Sequence, residues 1–131
     1  MHGQMPLTVT EVLDRYRCHP DYLGIDLLDV NQPGAVDDCP LHIASRSGDL
    51  AQVVALINLG ASINAHGDLG YTPLHYSALK GHWHIAEFLI GHGAKIDEKN
   101  EFDQTPADVA RLGNHSAFLA GLEALTRNVR G

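Results

Sequence analysis

Apolar residues fall along this chain in short helical stripes separated by polar, glycine-rich intervals. The first stripe is Val9, Val12, Leu13 and Tyr16, spaced i, i+3, i+4, i+7 as one face of a helix requires. Thr8 and Glu11 hold the two positions of a capping box. Pro20 ends the helix at or before His19, because the residue preceding a proline is pushed out of the helical region, so a helix over about 9–17 is predicted. Asp21 to Val30 carries Tyr22, Leu23, Ile25, Leu27, Leu28 and Val30, interrupted by Gly24, and fits either a short helix or an extended segment. Three longer stripes follow: Val53, Val54, Leu56, Ile57 and Leu59; then Ile85, Ala86, Phe88, Leu89 and Ile90; then Phe118, Leu119, Leu122 and Leu125. Each is preceded by a shorter helix opening on Pro40, Pro73 or Pro106, at the first helical position, where a missing amide proton does no harm. The first of these is expected to reach about Ser47 and the last about Leu112, with a final helix over about 115–126. Residues 1–7 show no pattern and are expected to fray; Asn128, Arg130 and Gly131 are expected to close the chain as a polar tail.

The stripes repeat. Pro40-Leu41-His42 lies 33 residues before Pro73-Leu74-His75, and Thr105-Pro106 lies 33 after Thr72-Pro73. The same step carries Gly48 to Gly81, Gly60 to Gly93, Ala61 to Ala94, Ile63 to Ile96 and Asn64 to Asp97. Helix, tight turn, helix, glycine and extended loop make one unit, present three times. Its best copy, Thr72-Pro73-Leu74-His75-Tyr76-Ser77-Ala78 with Gly81-His82 and Gly91-His92-Gly93-Ala94, resembles the ankyrin repeat, whose signature is a Thr-Pro-Leu-His turn into a helix. The resemblance covers residues 31–126. It implies an all-α solenoid of helix-turn-helix units joined by β-turn finger loops, with copies at about 31–63, 64–96 and 97–126. Residues 1–30 are expected to form a degenerate N-terminal cap, since a terminal unit meets water on one side. The outer copies depart from the pattern: Cys39 replaces Thr, Asp37 and Asp103 replace the glycine at 70, Ala107-Asp108 replaces Leu-His, and Asn114 replaces the glycine at 81. Parts of the hydrogen-bond network are thereby lost, so the outer copies are expected to be weaker than the middle one.

Composition adds limits. The chain has 131 residues, 44% hydrophobic and 19% charged, as expected of one folded domain. No apolar run approaches the roughly 20 residues of a membrane span, and no basic-then-apolar N-terminal block marks a secretory signal. Two unpatterned cysteines, Cys18 and Cys39, suit a reducing, cytoplasmic setting. The formal charge of −7 disfavours nucleic acid and anionic membranes, which need a basic face, and would steer a basic protein toward this one.

The nine histidines raise the question of metal or general-base chemistry. His42, His75, His82, His92 and His115 fall at positions that the resemblance assigns to the fold. His82 and His84 are two apart on a helix and face different ways, and no Cys or His pair shows ligand spacing. Neither a nucleophile motif nor a phosphate loop is present; Gly67-Asp68-Leu69-Gly70 reads as an inter-repeat finger. No cofactor or metal is expected, and a His-dependent metallohydrolase is the weakest reading.

Recognition remains. In ankyrin proteins the positions free to vary lie at the finger tips and along the concave side of each first helix. Here they are Ala35, Val36 and Asp38; His66, Asp68, Leu69 and Tyr71; Lys99, Glu101, Phe102 and Gln104; and Arg46, Leu79, Lys80 and Leu112 at the helix ends. Val36, Leu69 and Phe102 are equivalent and put an apolar residue on each of three fingers, either exposed as anchors or folded back on the neighbouring finger. Asp37, Asp38, Asp68, Glu101 and Asp103 give that row an acidic rim. Trp83 reads as core packing. The expected function is non-enzymatic protein binding by a monomer. The sharper form is an inhibitor or immunity-type protein that occludes a basic toxin or enzyme; the alternative is a neutral scaffold or assembly adaptor.

Overall fold

The computed structural model describes residues 8–130; the fraying expected of residues 1–7 and the placement of Gly131 lie outside it. The described residues form seven α-helices: α1 (Val9–Arg17), α2 (Pro40–Ser47), α3 (Leu50–Asn58), α4 (Pro73–Lys80), α5 (Trp83–Gly91), α6 (Pro106–Leu112) and α7 (Ser116–Arg130). Asp21–Val30 is neither a full helix nor an extended strand: a single 3-10 turn at Pro20–Tyr22 leads into irregular backbone. The last helix runs on to Arg130, so the expected polar tail begins as helix. Among the described residues no helix is long and apolar enough to cross a membrane.

The helices form two layers. First helices α2, α4 and α6 pack side by side, as do α1, α3, α5 and α7, and the layers meet within each copy through α2–α3, α4–α5 and α6–α7. Between them runs one continuous core, from Leu41, Val53 and Leu56 through Leu74, Ile85 and Leu89 to Val109, Phe118 and Leu122. α1 extends the second-helix layer by one member. Its Val12, Leu13 and Tyr16 are buried, and the Tyr16 hydroxyl donates to Gln52 Oε1 of α3 at 3.1 Å. Val9, expected on the same buried face, is largely exposed at its edge.

Each first helix starts from a cap built three ways. In the middle copy the Thr72 hydroxyl accepts from the His75 amide, and the Thr72 amide donates to His75 Nδ1. In the last copy Asp108 takes the histidine's place, accepting from the Thr105 amide at 3.0 Å while Thr105 accepts from its amide. The cap expected to be lost there is rebuilt by a carboxylate of similar reach. Copy one keeps only half: the Cys39 amide donates to His42 Nδ1 at 2.9 Å, and the thiol turns toward the Asn31 carbonyl.

Copies are tied by the same period. Asn31 donates to the Gly60 carbonyl and accepts from the Ser62 amide; 33 residues on, Asn64 does the same with Gly93 and Lys95. His82 Nε2 meets the Arg46 carbonyl, and His115 Nε2 the Leu79 carbonyl. Those rings lie over the turn glycines: a Cβ on Gly81 would stand 2.6 Å from the His115 ring, and Gly81 also has φ 72°, so two constraints select glycine there.

Candidate functional site: an apolar groove between the second and third fingers

The three finger tips share one backbone device. Asp37, Gly70 and Asp103, equivalent by the 33-residue step, all have positive φ, at 71°, 76° and 63°. Asp is among the few side-chain-bearing residues that tolerate this region. Leu69 adds a second left-handed residue at φ 55° just before Gly70, an uncommon conformation for a bulky side chain. Its carbonyl accepts from the Glu101 amide of the next finger at 3.0 Å, which offsets part of the strain.

What holds each turn differs. In the third finger the Asn100 side chain accepts from the amides of Phe102 and Gln104. The second finger has Gly67 at that position, and the vacated space is filled from the first finger by Asp38, whose Oδ1 lies 2.2 Å from where a Gly67 Cβ would stand. Asp38 Oδ1 accepts from the Asp68 amide at 2.9 Å, and the Tyr76 hydroxyl donates into the carboxylate at 2.9–3.0 Å. Asp38 is therefore not a finger-tip contact residue, as the sequence suggests: it is 2% exposed and joins the first two copies. It also leaves the acidic rim. Tyr76, which sequence reasoning passed over, carried a signal: its equivalents are the apolar Ile43 and Val109, so a hydroxyl there needed a buried partner.

With Asp38 removed, the anticipated residues separate into groups. Tyr71, Leu79, Phe102, Gln104 and Leu112, joined by Val109 and Gly113, line an open groove of about 380 Å³ between the second and third copies. Phe102 is 56% and Leu112 71% exposed, with Leu79 at 37% on the same wall. Tyr71 forms the floor, its ring tilted against Tyr76 at 5.2 Å and His75 at 5.6 Å between centroids. Leu69 and Val36 are exposed on their own fingers but do not line the groove. Trp83 packs edge-on against buried Phe118 at 5.4 Å, as core.

The chain's pattern, the two helix layers and the groove all point one way, and a model of ankyrin repeats (three copies) matches residues 19–120. The chain belongs to the ankyrin-repeat family. A comparison with curated proteins gives no significant match. Ankyrin repeats mediate binding to other proteins, so this chain is a protein–protein interaction module of a family that is typically non-enzymatic.

Charge on this ankyrin face is divided. The finger tips present Asp37, Asp68, Glu101 and Asp103, the last paired with Lys99 at 3.2 Å. Across the groove, the ends of the first helices present exposed Arg46, Lys80 and Arg111. Arg46 lies over the Tyr76 ring, 5.6 Å from its centroid, and Arg111 pairs with Asp108 at 3.0 Å. The acidic rim read from sequence is one edge of a two-toned surface. His66 bridges fingers, with Nδ1 2.8 Å from the Gly70 carbonyl and Nε2 3.0 Å from Glu98 Oε1.

Among the described residues no three His, Cys, Asp or Glu side chains converge as a metal site would need. His42 and His75 are buried, each accepting a backbone amide at Nδ1 and donating from Nε2 to a carbonyl, that of Ala65 at 2.7 Å and of Gln104 at 2.8 Å. Both are therefore neutral, and burial, first among the causes, lowers their pKa. Burial also raises the Cys39 thiol to about 11, helped by Asp38, Asp29 and Asp37, which removes it as a nucleophile near neutral pH.

Proposed function

We propose that this ankyrin module docks its partner over the groove between the second and third fingers. Phe102, Leu79 and Leu112 serve as the apolar contacts, Tyr71 as the aromatic floor, and Leu69 as an anchor beside them. One observation supports this above the rest: Leu79, Phe102 and Leu112 are all exposed and line the same groove. A contiguous exposed patch with aromatic members is more than solubility needs. The proposed contacts also include Val36, Arg46, His66, Asp68, Lys80, Lys99, Glu101 and Gln104 around it.

The divided charge refines the partner. A segment with an apolar stripe, basic residues along the edge facing the fingers and acidic residues along the edge facing Arg46 and Lys80 would complement both sides. The overall charge of −7 favours a partner whose larger basic surface meets the fingers, and an inhibitor that occludes a basic toxin or enzyme is the role we assign. A rigid repeat stack suits it, because little conformational entropy remains to be lost on docking.

The test compares the chain with its Leu69→Asp/Phe102→Asp variant in affinity capture, followed by calorimetry with the purified partner. We expect one basic partner at 1:1 stoichiometry, its activity suppressed, and binding weakened by about 100-fold or more in the variant, as for loss of hot-spot residues. Equal capture by both baits would overturn the docking site. Two partners held at once would replace the inhibitor by a scaffold.

A further inference from the structure

We infer that His66 is a positioning residue which, as the doubly protonated imidazolium, clamps the second finger to the third and makes the shape of the groove depend on protonation. This rests on the docking reading above for its consequence, and on the ring's own hydrogen bonds for its chemistry.

Both ring nitrogens face acceptors. Nδ1 lies 2.8 Å from the Gly70 carbonyl oxygen and Nε2 3.0 Å from a Glu98 carboxylate oxygen. Neither oxygen carries a proton to give, and a neutral imidazole has one N–H. Making both bonds therefore takes two protons. The contrast within the molecule is direct: His42 and His75 each face one amide donor and one carbonyl, the pattern of a neutral ring.

The two bonds sit where they shape the groove. The Gly70 carbonyl belongs to the peptide that enters Tyr71, the groove floor, and follows the left-handed Leu69–Gly70 pair. Glu98 lies in the loop leading to Phe102, which also lines the groove. The charged ring thus joins the segments that carry Tyr71 and Phe102. On losing a proton it keeps one bond, and either the Tyr71 peptide or the third finger is released. The Leu69–Glu101 backbone bond is then the remaining direct tie between those turns.

The electrostatic surroundings agree. Glu98 first, by hydrogen bond, and then the Gly70 carbonyl raise the His66 pKa above its ordinary 6.5 against desolvation. The same bond lowers the Glu98 pKa, with Lys95 contributing through space. From the packed helices His66 is faced by His42 of α2 and His75 of α4, both neutral rings that feel its charge as a lowering influence. The clamp is fully formed below the His66 midpoint and is lost as pH rises through it. Partner binding should weaken by about three- to tenfold over that interval, the worth of one hydrogen bond.

The experiment is a pH titration of the isolated chain by long-range ¹⁵N–¹H correlation spectroscopy of the imidazole rings, with Glu98→Gln alongside. We expect both His66 nitrogens protonated on the acid side, with a midpoint above 6.5. The amide signals of Gly70, Tyr71 and Glu101 should move with that midpoint. Glu98→Gln should lower it and uncouple the third finger, while circular dichroism shows the fold unchanged. A midpoint at or below 6.5, or finger amides that ignore the titration, overturns the clamp. No partner is used, so a failed docking test leaves this result standing, and a failed titration leaves the docking test untouched.

Discussion

At the scale of single residues, the repeat tolerates exceptions only where another residue compensates. Gly67 lacks the side chain that Asn100 uses to hold the third finger, and Asp38 supplies the acceptor from the copy before. Tyr76 then covers the carboxylate. The three depend on one another, which predicts strong coupling. Tyr76→Phe should cost about 1.5–3 kcal/mol, as for a hydrogen bond to a buried charged group. Asp38→Ala, which leaves the Tyr76 hydroxyl and Asp68 amide unpaired, should cost about 2–4 kcal/mol. In denaturant unfolding, the double variant should fall short of the sum by about 0.5–3 kcal/mol; simple additivity would show the pair to be incidental. Ser45 offers the opposite case. Its hydroxyl is fully buried and without a partner, whereas the equivalent residue of the next copy, Ala78, is equally buried. Ser45→Ala should stabilise the fold by up to about 1 kcal/mol, by removing an unsatisfied polar atom. A lowered denaturation midpoint would mean that the hydroxyl is satisfied after all.

At the scale of elements, helix propensity and packing oppose each other in α7. Gly121 sits inside that helix, where alanine would ordinarily be favoured by about 1 kcal/mol. A Cβ there would stand 2.4 Å from the Trp83 indole, which also packs edge-on against Phe118 of α7 at 5.4 Å. The ring would have to leave that contact to make room, and overpacking typically costs about 1–3 kcal/mol. We therefore expect Gly121→Ala to lower thermal stability and to perturb Trp83 fluorescence. Increased stability would show that α5 and α7 can separate at no cost. Sequence periodicity places the start of α7, though not its end at Arg130, and has no view of this glycine. The reason is that its constraint comes from a residue 38 positions away, in the neighbouring copy.

For the whole molecule, the histidines set the response to acid. His42 and His75 are held neutral, with pKa values below the ordinary 6.5. Below that value the unfolded chain binds more protons than the folded one, so stability falls as pH falls from about 6.5 toward their folded-state values. Above it their contribution is complete. His66 acts in the opposite sense: its raised pKa contributes stability at low pH that is lost as pH rises through its folded-state value. It is largely exposed, so solvent screens that effect and the buried pair should dominate. Urea unfolding should show a midpoint that drops between about pH 6.5 and 5 and does so less in a His75→Gln variant. A flat profile across that range would mean that the buried rings are not neutral in the native state.

How much of this was legible from residues alone follows the range of the forces involved. The helices, their proline starts and the 33-residue period were in the sequence, because stripe spacing, capping and turn residues act within a few positions of one another. The ankyrin resemblance converted that period into stacked layers, and with it came the finger positions, of which Tyr71, Phe102 and Gln104, with Leu79 and Leu112, do line one groove. Asp38 was misplaced because its fate depends on an absent side chain at Gly67 and a hydroxyl on Tyr76, contacts 29 and 38 residues distant. In the sequence His66 reads as a variable surface position, and only the meeting of two fingers shows that both its nitrogens face acceptors. The acidic rim became one edge of a divided surface once the helix ends were set opposite the fingers. Local chemistry determined the elements and their repetition; which polar groups are buried, paired or left facing water was decided only when neighbouring copies came into contact, since a hydrogen bond or an ion pair exists only between groups that the fold brings within reach.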